Sequence, residues 1–415
     1  MGEAPRWADS VVWWQCYPLG FVGAERHRVD GVQHRLGRLV NWLDHLIELG
    51  ANGLLLNPVF DSASHGYDTL DHYRIDPRLG DDSDFDRLLA QAKARGIRVL
   101  LDGVFNHVAV GHEIVTRAVA AGPGTIDGDW IRWSGTYPRG FEGNLDLIEL
   151  NLDNPSVQDY VVAVMTHWLD RGVDGWRLDA AYAPGAAAWA PIGDRVKRAH
   201  PDAWLMAEVI HGDYAEFRTI SGVDSVTQYE LWKAIWSSLS DRNPHELAWS
   251  LQRHAAFSAA FRPQTFLGNH DTTRIATRLA DPARLRLAIA LLALLPGVPS
   301  IYAGDEQGFT GEKTDGPTGD DAVRPSFPDD PSELIGFGQP VFEQYQRLIG
   351  LRRRHPWLTS ARLEVAEVTQ QALAIELTGD EGRLGLAVNF ADEPAVVRLW
   401  GAEVRIEGCD YAVVD

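Results

Sequence analysis

What most constrains this chain is a rhythm. Short apolar runs, each about one strand long, alternate with amphipathic stretches of helical period, and the alternation occurs eight times. The runs are "VVWWQCYP" (residues 11–18), "NGLLLNPV" (52–59), "IRVLLDGVF" (97–105) and "VDGWRLDA" (173–180). They continue with "AWLMAEVI" (203–210), "DSVTQYE" (224–230), "QTFLGNHD" (264–271) and "VPSIYAGDE" (298–306). Between the first two, Leu36, Leu39, Val40, Leu43, Leu46 and Ile47 keep a 3.6-residue period over 33–49. Asn154 followed by Pro155 reads as an N-cap and first helical residue, and Gly172 ends that helix. Strands alternating with helices are joined by crossovers into a parallel sheet, and eight such units predict a closed (β/α)8 TIM barrel.

Two places break the rhythm. Between the third and fourth runs lies a stretch rich in Gly and Trp, "GPGTIDGDWIRWSGTYPRGFEGN". A connection that long is a lid, a subdomain or disorder, and its aromatic residues argue against disorder. After "QYQRLIGLRRRHPWL" the pattern turns to short β-rich runs. The expected organisation is a barrel from 1–107 and 153–355, an insertion over 108–152 and a C-terminal antiparallel β domain over 356–415.

The formal charge of −20, from 58 acidic and 38 basic residues, argues against a nucleic acid or an anionic membrane as partner and suits a neutral substrate. The longest apolar run is cut by Pro296, Gly297 and Pro299, so no membrane span is expected. Cys16 and Cys409 make neither a disulfide framework nor a zinc pattern. "MGEAPRWADS" lacks the features of a secretory signal, and a cytoplasmic enzyme is expected. Nothing in the sequence sets an oligomeric state.

Chemistry concentrates where the runs end. The third ends in Asp102, Asn106 and His107, the fourth in Arg177 and Asp179; the fifth carries Glu208, and the seventh ends in Asn269, His270 and Asp271. Polar groups at the C-terminal ends of barrel strands mark an active site, because the catalytic loops lie on that face. Asp102, within an apolar strand, reads as an orienting group. Arg177 and Asp179 are two apart and point the same way on a strand. No Cys, nucleophile-elbow Ser or HExxH stands at this rim, and no GxGxxG follows a strand. Three carboxylates remain, and pairs of carboxyls in unlike environments are the signature of glycoside hydrolysis. Arg177 is expected to lower the pKa of Asp179, and the apolar neighbours Leu205, Met206, Ala207, Val209 and Ile210 to raise that of Glu208.

At these residues the chain resembles the α-amylase family of glycoside hydrolases (family 13). "DGVFNHV", "GWRLDA", "AEV" and "FLGNHD" match four signature regions in order, with support from "GANGLLLNP", "HGYDTLDHYRIDPRLG", "LNLDNPSV" and "GVPSIYAGDE". The resemblance implies a catalytic barrel with a domain B after the third strand and a C-terminal β domain. It makes Asp179 the nucleophile, Glu208 the general acid/base and Asp271 the third carboxylate. Arg177 is the arginine beside the nucleophile. His107, His270, Tyr67, Asp68 and Arg274 are implied as substrate-binding, with Arg274 near Asp271. The implied reaction is retaining hydrolysis of α-1,4-linked glucose oligosaccharides through a glycosyl-Asp179 intermediate, with carboxyls about 5–5.5 Å apart.

The chain departs from the family directly after the nucleophile. Calcium-dependent amylases follow it with a Lys-His pair, whereas this chain reads "AAYAPG". Asn106 matches a calcium ligand of the family, but neither a metal nor another cofactor is predicted. Trp130 and Trp133 of the insertion are candidate aromatics for a sugar cleft, and "EKTDGPTGDD" after the eighth run is a candidate cleft wall. The same residues would serve an α-glucan transglycosylase or a trehalose-synthase-type isomerase. A non-catalytic relative would be expected to lack one of the three carboxylates, and a metal-dependent barrel hydrolase would be stopped by a chelator.

Overall fold

The computed structural model describes residues 4–316, 318–334 and 336–415. All eight expected strands are present: β1 (Trp13–Cys16), β2 (Gly53–Leu56), β3 (Arg98–Gly103), β4 (Gly175–Leu178), β5 (Trp204–Ala207), β6 (Ser225–Val226), β7 (Gln264–Phe266) and β8 (Val298–Tyr302). They form one parallel sheet in the order β6-β5-β4-β3-β2-β1-β8-β7. A parallel bridge between Thr227 and Gln264, with the Gln228 N–H on the Gln264 carbonyl at 2.9 Å, joins its two ends. That closes the barrel.

The side chains facing the barrel axis can be followed up each strand by its period of two. Trp13 gives way to Gln15, Leu55 to Asn57, Leu100 to Asp102, Gly175 to Arg177 and Trp204 to Met206. The lower residues Trp13, Leu55, Leu100, Trp204, Met206 and Val298 form a separate apolar cluster with Ala8 and Val11. The short helix Arg6–Ser10 covers its base, with the Trp7 ring 6.0 Å from Trp13. Gly53 opposes Trp13, and a Cβ there would meet the indole at 2.3 Å. Alternate residues such as Trp14, Leu54, Leu101 and Trp176 face outward into the main core under the helices. The barrel interior is therefore apolar below and polar above.

The helix Pro155–Arg171 starts as expected, with Asn154 accepting the Ser156 N–H at 2.9 Å, and stops at Gly172 in the left-handed region (φ 110°). The periodic stretch 33–49 is two helices, Gly37–Asn41 and Leu43–Leu49, which meet at Trp42, where the N–H closes a tighter turn onto the Leu39 carbonyl at 3.1 Å. The long connection after β3 holds a helix (Glu113–Ala121) and a three-stranded antiparallel sheet of His107–Ala109, Asn144–Glu149 and Gly140–Phe141. The C-terminal part is an antiparallel sheet of Arg362–Val368, Ala372–Gly379, Gly382–Asn389 and Tyr411–Val414. No helix among the described residues is long and apolar enough to cross a membrane.

Candidate active site

Strand register brings the carboxyls together. Arg177 pairs with Asp102 on one side and Met206 on the other. The last paired tier is Gly103, Leu178 and Ala207, so one residue further on Asp179 and Glu208 stand side by side. The Asp179 N–H on the Gly103 carbonyl and the Glu208 N–H on the Leu178 carbonyl continue the ladder into that tier.

One guanidinium serves three buried carboxyls. Arg177 Nη1 donates to both oxygens of Asp102 (2.6 and 2.7 Å) and to Asp179 Oδ1 (3.0 Å), while Nη2 contacts Glu208 Oε1 at 2.6 Å. Charge-assisted bonds of this kind orient as well as stabilise. Asp102 also accepts from Asn57 Nδ2 and the Tyr67 hydroxyl, both at 3.0 Å. It is the orienting group expected, and it holds Arg177 in place.

The balance of charge differs from the sequence expectation for Asp179. Burial pushes its carboxyl well above the usual carboxylate range; Arg177 pulls it back, but the charges of Glu208 and Asp102 push it up further. One cation faces three desolvated acids, and interacting carboxyls titrate as a unit, so the upward push on Asp179 favours a proton shared within the cluster. The apolar setting expected for Glu208 is not what its side chain meets. Leu205 and Val209 belong to the core outside the barrel. The Glu208 carboxyl faces inward to Arg177, the Ala180 N–H (2.9 Å) and the Tyr229 hydroxyl (3.1 Å). Ala180 is in the left-handed region at φ 44°, which turns its N–H onto Glu208.

Across the rim stands the third carboxyl. Asp271 accepts from Arg324 Nη2 at 2.7 Å and lies 2.9 Å from His270 Nε2. Burial would raise it, but His270, then Arg324 and Lys313, hold it well below the usual range. His270 is stacked between Tyr67 (5.3 Å, 5° between planes) and Tyr17 (6.1 Å, 1°), and its Nε2 shares a hydrogen bond with the Tyr67 hydroxyl. His107 stacks on Phe141 of the insertion at 4.6 Å, and its Nε2 is buried with no protein hydrogen-bond partner. Burial holds that imidazole at about 4, so it is neutral and can hydrogen-bond a neutral ligand. A cleft of about 420 Å³ opens beside Tyr67, walled by Tyr17, Ser64, His65, Asp320 and Arg324.

Thus Asp179, Glu208, Asp271, Arg177, His107, His270 and Tyr67 converge on one rim. Asp68 lies under it, accepting from the Ser64 hydroxyl (2.5 Å) and the His65 N–H (3.2 Å), so it shapes the loop that carries Tyr67. Arg274 does not pair with Asp271. Its guanidinium is fully buried, bonded to Asp305 Oδ1 (2.8 Å) and the Val323 carbonyl (3.0 Å), with the Tyr302 ring 4.5 Å away. Arg324 takes the expected place, arriving from the loop after β8 three residues beyond the stretch 312–321 expected as a wall, of which Pro317 lies outside the described residues. Trp130 packs under Arg117 and Trp133 donates to the Gly128 carbonyl, so both hold the insertion together. Sequence reasoning misses Asn57, which directly follows β2 as Glu208 follows β5, and Tyr229, the first residue of the helix Tyr229–Asp241 after β6. Asn106 spends its side-chain amide on His107 Nδ1 (3.2 Å). Among the described residues, the His, Cys, Asp and Glu atoms close enough to share an ion are those of His34, Asp81 and Asp84, where Asp81 and Asp84 cap a helix remote from this rim.

A (β/α)8 barrel with two carboxyls on one arginine and a third facing them is a glycoside hydrolase in class. The family model described as "Alpha amylase, catalytic domain" matches residues 15–144 and 137–361, and the chain belongs to the alpha-amylase family. Neopullulanase 2 of Thermoactinomyces vulgaris is 29% identical over 429 residues, covering 95% of this chain and 72% of the relative. The intracellular maltogenic amylase of Bacillus subtilis is 30% identical over 339 residues, covering 75% of this chain and 57% of the relative. The chain thus spans roughly two thirds of the length of these curated relatives. Among solved structures, the cyclic alpha-maltosyl-(1→6)-maltose hydrolase of Arthrobacter globiformis, in complex with that sugar, superposes with a TM-score of 0.85 at 26% identity over 99% of each chain. The acarbose-soaked debranching enzyme of Nostoc punctiforme gives a TM-score of 0.83 at 26% identity over 100% of this chain and 99% of its own. The resemblance read from the motifs is borne out.

Proposed function

We propose that this enzyme hydrolyses α-1,4-linked glucose oligosaccharides with retention, by double displacement. The observation that carries the reading is the shared tier: Asp179 and Glu208 end neighbouring strands and both meet Arg177. A carboxyl pair held this closely suits a nucleophile and an acid acting on the same anomeric carbon, rather than a pair spaced apart by a water molecule. The names of the relatives, a neopullulanase and a maltogenic amylase, agree with an α-glucan substrate.

In this mechanism the Asp179 carboxylate attacks the anomeric carbon as the glycosidic C–O bond breaks. Glu208 delivers the proton held in the carboxyl cluster to the leaving oxygen. Arg177 then still faces two carboxylates, Asp102 and Glu208 in place of Asp102 and Asp179, while Asp179 is neutralised as an ester. Glu208 next takes a proton from water, whose oxygen attacks the same carbon and releases Asp179. Asp271, kept ionised by His270 and Arg324, accepts hydroxyls of the distorted sugar and stabilises its positive charge. His107 and Tyr67 border the same ring.

The test is maltotriose hydrolysis followed by proton NMR from the first turnover. The α-anomer at the new reducing end should appear first and then mutarotate. The β-anomer first would overturn the mechanism. Accumulation of longer oligomers, or of trehalose, would replace hydrolysis by transfer or isomerisation.

A further inference from the structure

A second and larger groove lies outside the catalytic rim. It measures about 1070 Å³ and runs between residues 28–32, the strand Thr69–Ile75 and the start of the helix Asp82–Ala94. Small-molecule sites are usually about 300–1,000 Å³, so this groove suits a chain of several units rather than one ring.

Its walls are polar, aromatic and held in place. Alternation along Thr69–Ile75 buries His72 completely and leaves Tyr73 39% exposed. Two near-perpendicular ring contacts, with His167 at 5.3 Å and Tyr160 at 6.1 Å, fix the Tyr73 ring. Arg28 and Arg74 line the same groove, and both donate through Nη2 to Asp61 Oδ2, Arg28 at 3.1 Å. Asp61 is buried, and its Oδ1 has no protein hydrogen-bond partner among the described residues. One buried carboxylate thus sets two surface guanidiniums side by side. Each guanidinium has five N–H groups, so donors remain for a ligand. Asp71 lines the groove as an acceptor, with Oδ1 taking the Tyr73 N–H at 2.8 Å.

Charge argues against an ion as the ligand. The two guanidiniums are set against Asp61, and Asp71 and Asp82 stand on the walls, so a phosphate meets no excess of positive charge. A metal ion would meet the guanidiniums. A neutral ligand rich in hydroxyls suits both signs, because arginine donates to hydroxyl oxygens and aspartate accepts from hydroxyl protons. An exposed tyrosine ring takes the apolar C–H face of a pyranose.

One pass of the chain separates this groove from the cleft beside Tyr67. Glu25 and Arg26 wall the cleft, and Arg28 walls the groove. The fully buried Arg78 holds that pass: Nη1 donates to the carbonyls of Glu25 (3.1 Å) and Arg26 (2.8 Å), and Nη2 to Ser62 Oγ (2.7 Å) and Asp76 Oδ2 (2.6 Å). A polymer held in the groove therefore lies within reach of the catalytic rim.

Resting on the glycosidase reading above for the kind of sugar, we propose that the groove of Tyr73, Arg28 and Arg74 is a non-catalytic binding site for α-glucan polymer. It holds one stretch of the polymer while another chain end enters the cleft. The ligand it selects is a long or branched glucan, and maltotriose gains nothing from it.

The test is native gel electrophoresis of the full chain through soluble glycogen, paired with kcat/KM on maltotriose. Glycogen should retard the wild type. The apparent Kd from that retardation should rise about tenfold in Tyr73→Ala and about threefold in Arg28→Gln, and stay within about twofold in Tyr73→Phe, which keeps the ring. Maltotriose cleavage should stay within about twofold in all three, which also shows that they are folded. The site is overturned by a wild type that glycogen does not retard, or by Tyr73→Ala retarded as strongly as the wild type. It is equally overturned if maltotriose cleavage falls in step with the retardation. A wild type retarded through Tyr73 that cleaves no maltotriose overturns the glycosidase reading and leaves the groove a sugar site.

Discussion

Replacing Arg177 by methionine should make the protein's stability steeply dependent on pH. Methionine fills the volume but removes the one cation that faces Asp102, Asp179 and Glu208. Asp179 is already raised above its ordinary value of 3.8 by burial and by its two acidic neighbours, with Arg177 opposing. An acid raised in the folded state binds more protons there than in the unfolded chain, so stability falls as pH rises from the unfolded to the folded value. Without Arg177 the native cluster must take up about one further proton to stay buried. One proton of difference is worth about 1.4 kcal/mol per pH unit, hence about 4 kcal/mol between pH 5 and pH 8. Urea unfolding followed by circular dichroism at the two pH values measures it. The variant should be about 1–2 kcal/mol less stable than wild type at pH 5 and about 5 kcal/mol less stable at pH 8, the loss expected on breaking a buried pair. An equal loss at both pH values would refute the shared-proton account of this site.

Three further outcomes follow from the same geometry. Asp179→Asn should lose more than about 10⁴-fold in kcat/KM on maltotriose and α-glucosyl fluoride alike, whereas Glu208→Gln should lose about 10²–10⁴-fold in kcat/KM on maltotriose and far less in kcat/KM on the fluoride, whose departure needs no proton; both are read by initial rates. Arg274→Met should destabilise by about 3–5 kcal/mol in denaturant titration, because it leaves Asp305, already pushed up to about 6 by burial against the pull of Arg274, with no cation. Arg324→Met should instead introduce an acid limb into the pH profile of kcat/KM. Asp271, held low by His270 and Arg324, would then lose its charge at a higher pH than in the wild type.

The strand ends were the legible part of the site. Asp102, Asp179, Glu208 and Asp271 stand out because a carboxylate in or just past an apolar run needs a partner, and strand alternation says which of them share a face. Arg274 shows where that reasoning fails. It lies three residues from Asp271, but the chain turns between them and its guanidinium goes down to Asp305. Arg324 reaches Asp271 from a loop 53 residues later. Long loops carry few local constraints, so which arginine meets which aspartate depends on how the loop packs. Helix 33–49 failed differently, since its period is unbroken and the tight turn at Trp42 leaves no mark in the spacing of apolar residues.

By itself the sequence determined the barrel and its polarity. A period of two that runs from Trp13 to Gln15, from Leu55 to Asn57 and from Leu100 to Asp102 admits one orientation, with the apolar end packed and the polar end open. Tertiary structure alone decided the electrostatics. Charges act through distance and desolvation, and neither is written in sequence spacing. Only the closed barrel places three acids around one guanidinium, raising Asp179 where its neighbouring arginine had suggested the opposite. Only the packed insertion lays Glu142 beside Tyr182.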